Sequence, residues 1–159
     1  MAIEAFLKLG DLKGESLVKG FEDHIQLLSW NWELSQVGTT HIGSGGGAGK
    51  VNVKDLTFES YVDMATPPLL LACCKGTHYP QAVLTQRKAG GNPLTYLTIT
   101  LKDVLVTHVA EGGGTSDELQ TQSVSLNFAS FEVSYQPQDN KGAKRGGAIN
   151  VQYDIARNA

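Results

Sequence analysis

The stretch "VSLNFASFEVSY", from Val124 to Tyr135, decides the fold class because its apolar residues alternate with small polar ones. Alternation with this period is typical of a β-strand that buries one face. The apolar residues hold even positions up to Phe128 and odd positions from Phe131 onward. A strand that changes phase needs a bulge or a bend. We therefore predict one strand from Glu118 to Phe128 and another from Ala129 to Tyr135.

The same alternation recurs along most of the chain. At the N-terminus it places Ile3, Ala5, Leu7 and Leu9 on one face of a strand. Further strands are predicted at Lys50 to Phe58, Gln81 to Lys88, Leu94 to Lys102, Val104 to Ala110 and Ala148 to Ile155. The protein is therefore predicted to be mainly β, with enough strands to close a barrel.

One segment departs from the alternation and predicts a short helix. In "ATPPLLLACCKG", Thr66 can cap the helix, Pro67 suits its first turn and Gly76 suits its C-terminal stop. We predict a helix from Thr66 to Lys75 that is apolar nearly all round and therefore largely covered. The glycine-rich stretches elsewhere are too short to act as domain linkers, so residues 1–159 are predicted to form a single domain.

Composition excludes several classes of function. The chain has 13 Lys and Arg residues against 16 Asp and Glu residues, a formal charge of -3, and resembles no nucleic-acid binder. Its longest apolar run, Pro67 to Cys74, is much shorter than the roughly 20 residues of a membrane span. Glu4 and Lys8 interrupt any N-terminal signal peptide, and the neighbouring Cys73 and Cys74 are expected to be packed thiols. These features predict synthesis in the cytoplasm and no insertion into a membrane.

The glycine-rich stretch "GSGGGAGKVNV", from Gly43 to Val53, invites comparison with a phosphate-binding loop. Aligned on Gly49 and Lys50, however, the pattern has serine in place of its first glycine and Val51 in place of its hydroxyl residue. A phosphate-binding loop must also open into a helix, whereas "KVNVKDLTF" alternates as a strand. The stretch therefore predicts a flexible contact loop and no nucleotide site.

No other pattern indicates catalysis, a metal or a cofactor. The four histidines lack the spacing of a metal site, and no G-x-S-x-G nucleophile motif is present. Acidic pairs such as Asp55 and Glu59, or Asp103 and Glu111, are interpreted as solvated surface groups. The chain is predicted not to be an enzyme and to need no cofactor.

The stretch "HIQLLSWNWEL" predicts a strand with two distinct faces. Its alternation places one set of residues inward and another set outward: Leu28, Trp30, Trp32 and Leu34 against Leu27, Ser29, Asn31 and Glu33. Exposed tryptophans could bind sugars, but the shared face with two leucines favours the core. The small polar residues Ser29, Asn31 and Glu33 are then available to a partner or a lumen.

Several ordered blocks resemble one known family. They are "GDLKGES" at Gly10 to Ser16, "HIGSGGGAGKVNVKDLTF" at His41 to Phe58, "HYPQAVLTQRKAGG" at His78 to Gly91, "VSLNFASFEVSYQPQ" at Val124 to Gln138 and "YDIARN" at Tyr153 to Asn158. Together they are similar to the haemolysin-coregulated protein (Hcp) family of bacterial type VI secretion systems. The resemblance covers essentially the whole chain.

This resemblance implies a specific architecture and a specific role. The fold would be a two-sheet antiparallel β-barrel flanked by one helix, forming homohexameric rings that stack as a tube inside a contractile sheath. The tube would carry a spike at its tip and be expelled with effectors, some of which the ring would chaperone. The protein would thus wait in the bacterial cytoplasm and reach the outside, or a target cell, without a signal peptide.

Two sets of residues are assigned to these tasks. The lumen face that meets effectors is predicted at Ser29, Asn31 and Glu33. The loop that stacks rings is predicted at Gly43, Ser44, Gly45, Gly46, Gly47, Ala48 and Gly49, because a glycine-rich backbone permits close approach to a neighbouring ring.

Two other classes of protein fit parts of the sequence. A non-catalytic carbohydrate-binding β-sandwich would explain the strands and tryptophans, and it predicts a monomer whose tryptophan fluorescence responds to glycans. An acid/base hydrolase would require a pair of carboxylates, one with a raised pKa, for which the sequence offers no indication. The oligomeric state in solution separates these classes from a ring.

Overall fold

The chain forms a closed β-barrel with one short helix in the computed structural model, which describes residues 2–41 and 49–159. The helix, α1 (Thr66–Lys75), lies between the fifth and sixth strands. The strands are β1 (Ile3–Leu9), β2 (Ile25–Asn31), β3 (Leu34–Ser35), β4 (Asn52–Val53), β5 (Leu56–Tyr61), β6 (His78–Lys88), β7 (Thr95–Glu111), β8 (Thr121–Tyr135) and β9 (Ile149–Asp154).

Closure of the barrel depends on pairing between strands that are distant in the chain. The main sheet runs in the order β5-β2-β1-β6-β7-β8-β9, and a further pairing of β5 with β8 closes six of these strands into a ring. Strand β9 extends the sheet beyond β8, while β3 and β4 form a separate two-stranded hairpin. The prediction of a mainly β barrel with one helix is confirmed. The predicted two sheets agree only roughly, since the second sheet is the small hairpin.

The predicted change of phase is confirmed, and it occurs within two long strands. In β7 the buried residues hold odd positions up to Leu101 and even positions from Val104 onward. In β8 they hold even positions up to Phe128, and the next buried residue is Phe131, at an odd position. Leu101 pairs with Phe131 and Val104 with Phe128, so the two changes lie side by side. Asp103 in β7 has a φ of 54°, in the left-handed region, which bends the strand at this level. The sequence predicted separate strands on either side of the bend. The structure instead continues both strands through it.

The N-terminal part of the barrel departs from simple alternation. In β2, Ile25 and Leu27 are buried, whereas Leu28 is 47% exposed. The pairing of β2 with β5 shifts register between Leu27 and Ser29, and this bulge turns Trp30 and Trp32 toward the core. The inward placement predicted for Leu28 and the outward placement predicted for Leu27 are therefore wrong.

Two further predictions about strands fail for related reasons. Leu34, predicted to face inward with the tryptophans, is 44% exposed because it belongs to the separate β3–β4 hairpin. The predicted strand from Lys50 to Phe58 is divided between β4 and β5 for the same reason. Ile3, which lies on β1 outside the segment that pairs with β2, is also exposed.

The predicted bounds of α1 are confirmed, but its capping and burial differ from the prediction. Gly76 ends the helix with a φ of 63°, as a left-handed stop requires. The helix begins without a side-chain cap on Ala65; the Asp63 carboxylate instead accepts the Ala65 N–H at 2.8 Å. Leu70 and Leu71 are exposed, so the helix is not largely covered within a single subunit.

Thr66 joins a buried chain of hydrogen bonds under the start of α1. Its hydroxyl donates to Gln122 Oε1 at 2.9 Å and accepts the Asp63 N–H at 3.1 Å, while Gln122 Nε2 donates to Ser60 Oγ at 3.1 Å. Replacing Thr66 with valine keeps the shape but leaves a buried oxygen and an N–H without these partners. We expect the free energy of unfolding to fall by about 1–3 kcal/mol.

Urea denaturation of the Thr66→Val variant checks this expectation. Thr77→Val is a matched control, because Thr77 is exposed and its side chain takes no part in the buried chain. An equal urea midpoint for both variants would contradict the role given to Thr66.

Candidate functional site

Residues that are mostly polar cover one side of four neighbouring strands. Pairing across β2, β5, β8 and β7 aligns them in two rows, Ser29, Glu59, Ser123 and Ala110 in one and Asn31, Thr57, Ser125 and His108 in the other. We call these residues the polar face. Its two rows carry no large apolar side chain.

Alternation with the core explains why these residues point outward. Trp30, Phe58, Val124 and Val109 lie between the two rows and pack against the hydrophobic core. Because successive side chains of a strand point to opposite faces, the residues on either side of them point away from the core. The two outer strands reach this phase through bulges, one between Leu27 and Ser29 in β2 and one at Thr107 in β7.

Hydrogen bonds within the polar face satisfy several of its side chains. Ser29 Oγ donates to Glu59 Oε2 at 3.3 Å, and the hydroxyls of Thr57 and Ser125 are 2.9 Å apart. Beside the second row, Asp55 accepts hydrogen bonds from Thr107 Oγ1 at 2.6 Å and from Asn127 Nδ2 at 2.9 Å. These contacts hold the side chains close to the sheet.

Two strand segments at the borders of the polar face have an unpaired edge in the described part of the chain. In β2, Ser29 to Asn31 pair with β5 only, because pairing with β1 ends at Leu27. In β7, Val106 to Glu111 pair with β8 only, because pairing with β6 ends at Leu105. The polar face is thus a four-stranded sheet with an open edge on each side.

The structure places the predicted lumen residues unequally. Ser29 and Asn31 are exposed and lie in the two rows of the polar face. Glu33 is exposed but lies beyond the end of β2, where its carbonyl accepts the Lys54 N–H at 3.1 Å. Their role toward effectors stays a prediction.

Sequence reasoning missed the other members of the polar face. Thr57, Glu59, Ser123 and Ser125 alternate with buried residues in β5 and β8, so the signal was present in each strand. The alternation within each strand does not show which strands pair with each other. Pairing of β5 with β8 could not be predicted, because the two strands are about half the chain apart in sequence. The predicted stacking residues Gly43 to Ala48 lie outside the described residues, and Gly49 is exposed.

Charge is sparse on the polar face. The ion pairs found in residues 2–41 and 49–159 join Arg87 to Glu4 and His78 to Asp103, and neither includes Glu59. At the end of β7, partial burial raises the pKa of Glu111 above its usual range. The described residues contain no group of three or more His, Cys, Asp or Glu side chains placed to hold a metal ion.

The tryptophans do not form an exposed platform for sugars. Trp30 donates its indole N–H to Gln86 Oε1 at 2.7 Å, and Trp32 donates its own to the Lys54 carbonyl at 3.0 Å. Both rings pack against the core, where Trp32 meets Phe131 edge-on. A carbohydrate-binding surface built on these residues is therefore not supported. Among the described helices, none has the length and apolar character needed to cross a bilayer.

Comparison with known proteins identifies the family. Residues 6–135 match the family described as type VI secretion system effector, Hcp. The chain is also 52% identical to protein hcp1 of Pseudomonas aeruginosa, over 99% of this chain and 98% of that protein. The chain belongs to the Hcp family. The type VI secretion assignment made from the sequence is confirmed.

Solved structures of an Hcp protein and of a type VI secretion system effector have the same fold. Hcp1 from Salmonella typhimurium is 37% identical with a TM-score of 0.82, and the match covers 99% of this chain and 97% of that one. A type VI secretion system effector from Yersinia pestis is 30% identical with a TM-score of 0.77, and the match covers 95% and 99% of the two chains. The Hcp family is one of secretion proteins, and its description names no enzymatic activity.

Proposed function

We propose that this Hcp protein is a structural subunit of the type VI secretion tube. Subunits form hexameric rings, the rings stack into a tube, and the tube is expelled together with effectors that travel in the ring lumen. The observation that carries this proposal is the polar face bounded by two open strand edges. Sheath proteins around the tube and spike proteins at its tip are the further partners.

The two open edges favour a ring over a closed pair. The edges on β2 and β7 differ in sequence, so joining one to the other in the next copy makes a heterologous contact that repeats around an axis. Unpaired strand edges are templates for pairing with another chain. The polar face would then continue from copy to copy as one surface around a central space.

Exposed apolar residues lie near both edges. Leu28 is 47% exposed at the bulge that begins the open segment of β2. On the other side, α1 packs against β7 and exposes Leu70 and Leu71. Apolar side chains in such positions gain stability when a neighbouring subunit covers them. Their placement therefore supports contacts between copies at both borders of the polar face.

The oligomeric state in solution tests the ring directly. Gel filtration coupled to light scattering distinguishes a monomer with the chain mass of 17.0 kDa from an assembly of six such chains. Negative-stain images should then show annular particles. A lone subunit at all workable concentrations, without annular particles, would contradict the proposed function.

Asn31 provides a test of the lumen. A bulky replacement, Asn31→Tyr, should obstruct the polar face and reduce the amount of effector retained by rings about tenfold or more, because a misfit of one side chain costs 1–3 kcal/mol. The effectors bound to affinity-tagged rings are quantified by mass spectrometry. Gel filtration of the same sample should still show the ring.

Asn31→Gln is the matched control, since it keeps the amide and adds one methylene group. This variant should retain both rings and effectors. If Asn31→Gln failed to form rings, the side chain of Asn31, and not only its backbone on the open edge of β2, would belong to a contact between subunits.

A further inference from the structure

Glu59 is the carboxylate within the two rows of the polar face. It lies on β5, between Ser29 of β2 and Ser123 of β8, which are its cross-strand neighbours. Glu59 is exposed, and the Ser29 hydroxyl donates to its Oε2 atom at 3.3 Å. The contact comes from a residue already predicted to face the lumen, so Glu59 and Ser29 share one surface.

The surroundings of Glu59 leave its charge available. Its cross-strand neighbours are serines, and neither ion pair of the described residues involves it. The next row along the face carries Asn31, Thr57, Ser125 and His108, none of which forms an ion pair with Glu59. Glu111 and Asp117 line the same cavity as Glu59, and none of the described lysine or arginine residues lines it, so the charge of Glu59 is not compensated there by its own subunit.

A ring would multiply the effect of this one side chain. An exposed ion pair contributes only about 0–1 kcal/mol by itself. A hexamer, however, would present six copies of Glu59 on one enclosed surface, and a cargo with several cationic side chains would meet more than one of them. Several weak contacts of this kind together increase the difference in affinity between cationic and acidic cargo.

We propose that Glu59 is the specificity-determining residue of the polar face, favouring cargo proteins that present lysine or arginine side chains and disfavouring acidic ones. This inference rests on the proposed ring and specifies the chemistry of the cargo that the ring accepts. Electrostatic complementarity of this kind selects partners without requiring tight binding, which a carrier that must release its cargo needs.

Binding of charged peptides to isolated rings tests the inference. Fluorescently labelled decalysine and decaglutamate are titrated with the full-length protein, and binding is followed by fluorescence anisotropy at low and at physiological salt. Glu59→Gln should weaken decalysine binding by about tenfold at low salt, and the difference should shrink as salt rises. Glu59→Lys should reverse the preference and bind decaglutamate better than decalysine.

Glu22→Gln is the matched control because it removes the same charge elsewhere. Glu22 lies in the loop between β1 and β2, where neighbouring Phe21 stacks on Phe6 outside the two rows of the polar face. This variant should bind decalysine like the unaltered protein. Equal losses for Glu22→Gln and Glu59→Gln would overturn the inference, because they would show a response to net charge alone.

Ring formation is measured on every sample by light scattering, so that two kinds of failure are distinguished. Rings that bind decalysine equally well with and without Glu59 would overturn the role of Glu59 and leave the tube function standing. Absence of rings in the unaltered protein would overturn the tube function, and the inference about cargo with it.

Discussion

Replacing Phe58 with alanine is expected to lower the free energy of unfolding by about 3–5 kcal/mol, the largest stability loss that we predict for one substitution. Phe58 is fully buried in β5, the strand whose pairing with β8 closes the barrel. Its removal leaves a cavity that the surrounding strands cannot fill without losing their register. Chemical denaturation followed by circular dichroism measures the loss.

Tyr61→Ala is the control variant on the same strand. It shows how much of the stability loss comes from removing any aromatic side chain and how much from removing one that is buried in the core. Tyr61 is 43% exposed at the end of β5, so its replacement should cost much less, about 1 kcal/mol or below. If both variants unfolded at the same denaturant concentration, Phe58 would not be the centre of packing that its burial indicates. Because Phe58 lies between Thr57 and Glu59, we also expect Phe58→Ala to disturb the polar face.

Deleting Ser44 to Ala48 is expected to abolish tubes while leaving rings intact. The strand edges proposed to join subunits within a ring lie outside this segment, on β2 and β7. Stacking would depend on a loop that approaches the next ring, and the shortened loop would lack the reach. Electron microscopy counts tubes, and light scattering confirms that the rings persist.

A variant of unchanged length is the control for this deletion. Ser44→Gly combined with Ala48→Gly keeps the reach of the loop and should still give tubes, although extra backbone freedom would make stacking somewhat weaker. Tubes that persist after the deletion would show that Gly43 to Gly49 is not the stacking loop.

Local patterns predicted the elements of this fold better than their arrangement. The bounds of α1 followed from Pro67 and Gly76, and the bend in β8 followed from the phase change between Phe128 and Phe131. The bulge at Leu28 was missed, because one extra residue in a strand leaves no mark on composition. Exposure of Leu70 and Leu71 was also missed, since an apolar helix looks the same whether its own subunit or a neighbour covers it.

The candidate site was predicted in part for the same reason. Ser29 and Asn31 could be placed outward once the tryptophans were placed inward, because both facts concern a single strand. The sequence could not predict that Glu59 lies beside Ser29 and near Asn31, because these contacts depend on the pairing of β2 with β5 and of β5 with β8. Alternation reveals the two faces of a strand, whereas the register between strands depends on packing of the whole core.

The seam between β5 and β8 has a consequence for biosynthesis. Leu56 pairs with Leu126, so the barrel cannot close until the ribosome has released most of the chain. Contacts this far apart in sequence form slowly, because a long loop must be ordered first. Since β5 and β8 hold β2 and β7 in one sheet, an unfinished or truncated polypeptide lacks the sheet that carries the two edges proposed to join subunits. In the proposed tube, this dependence on a complete chain would keep truncated copies out of the assembly.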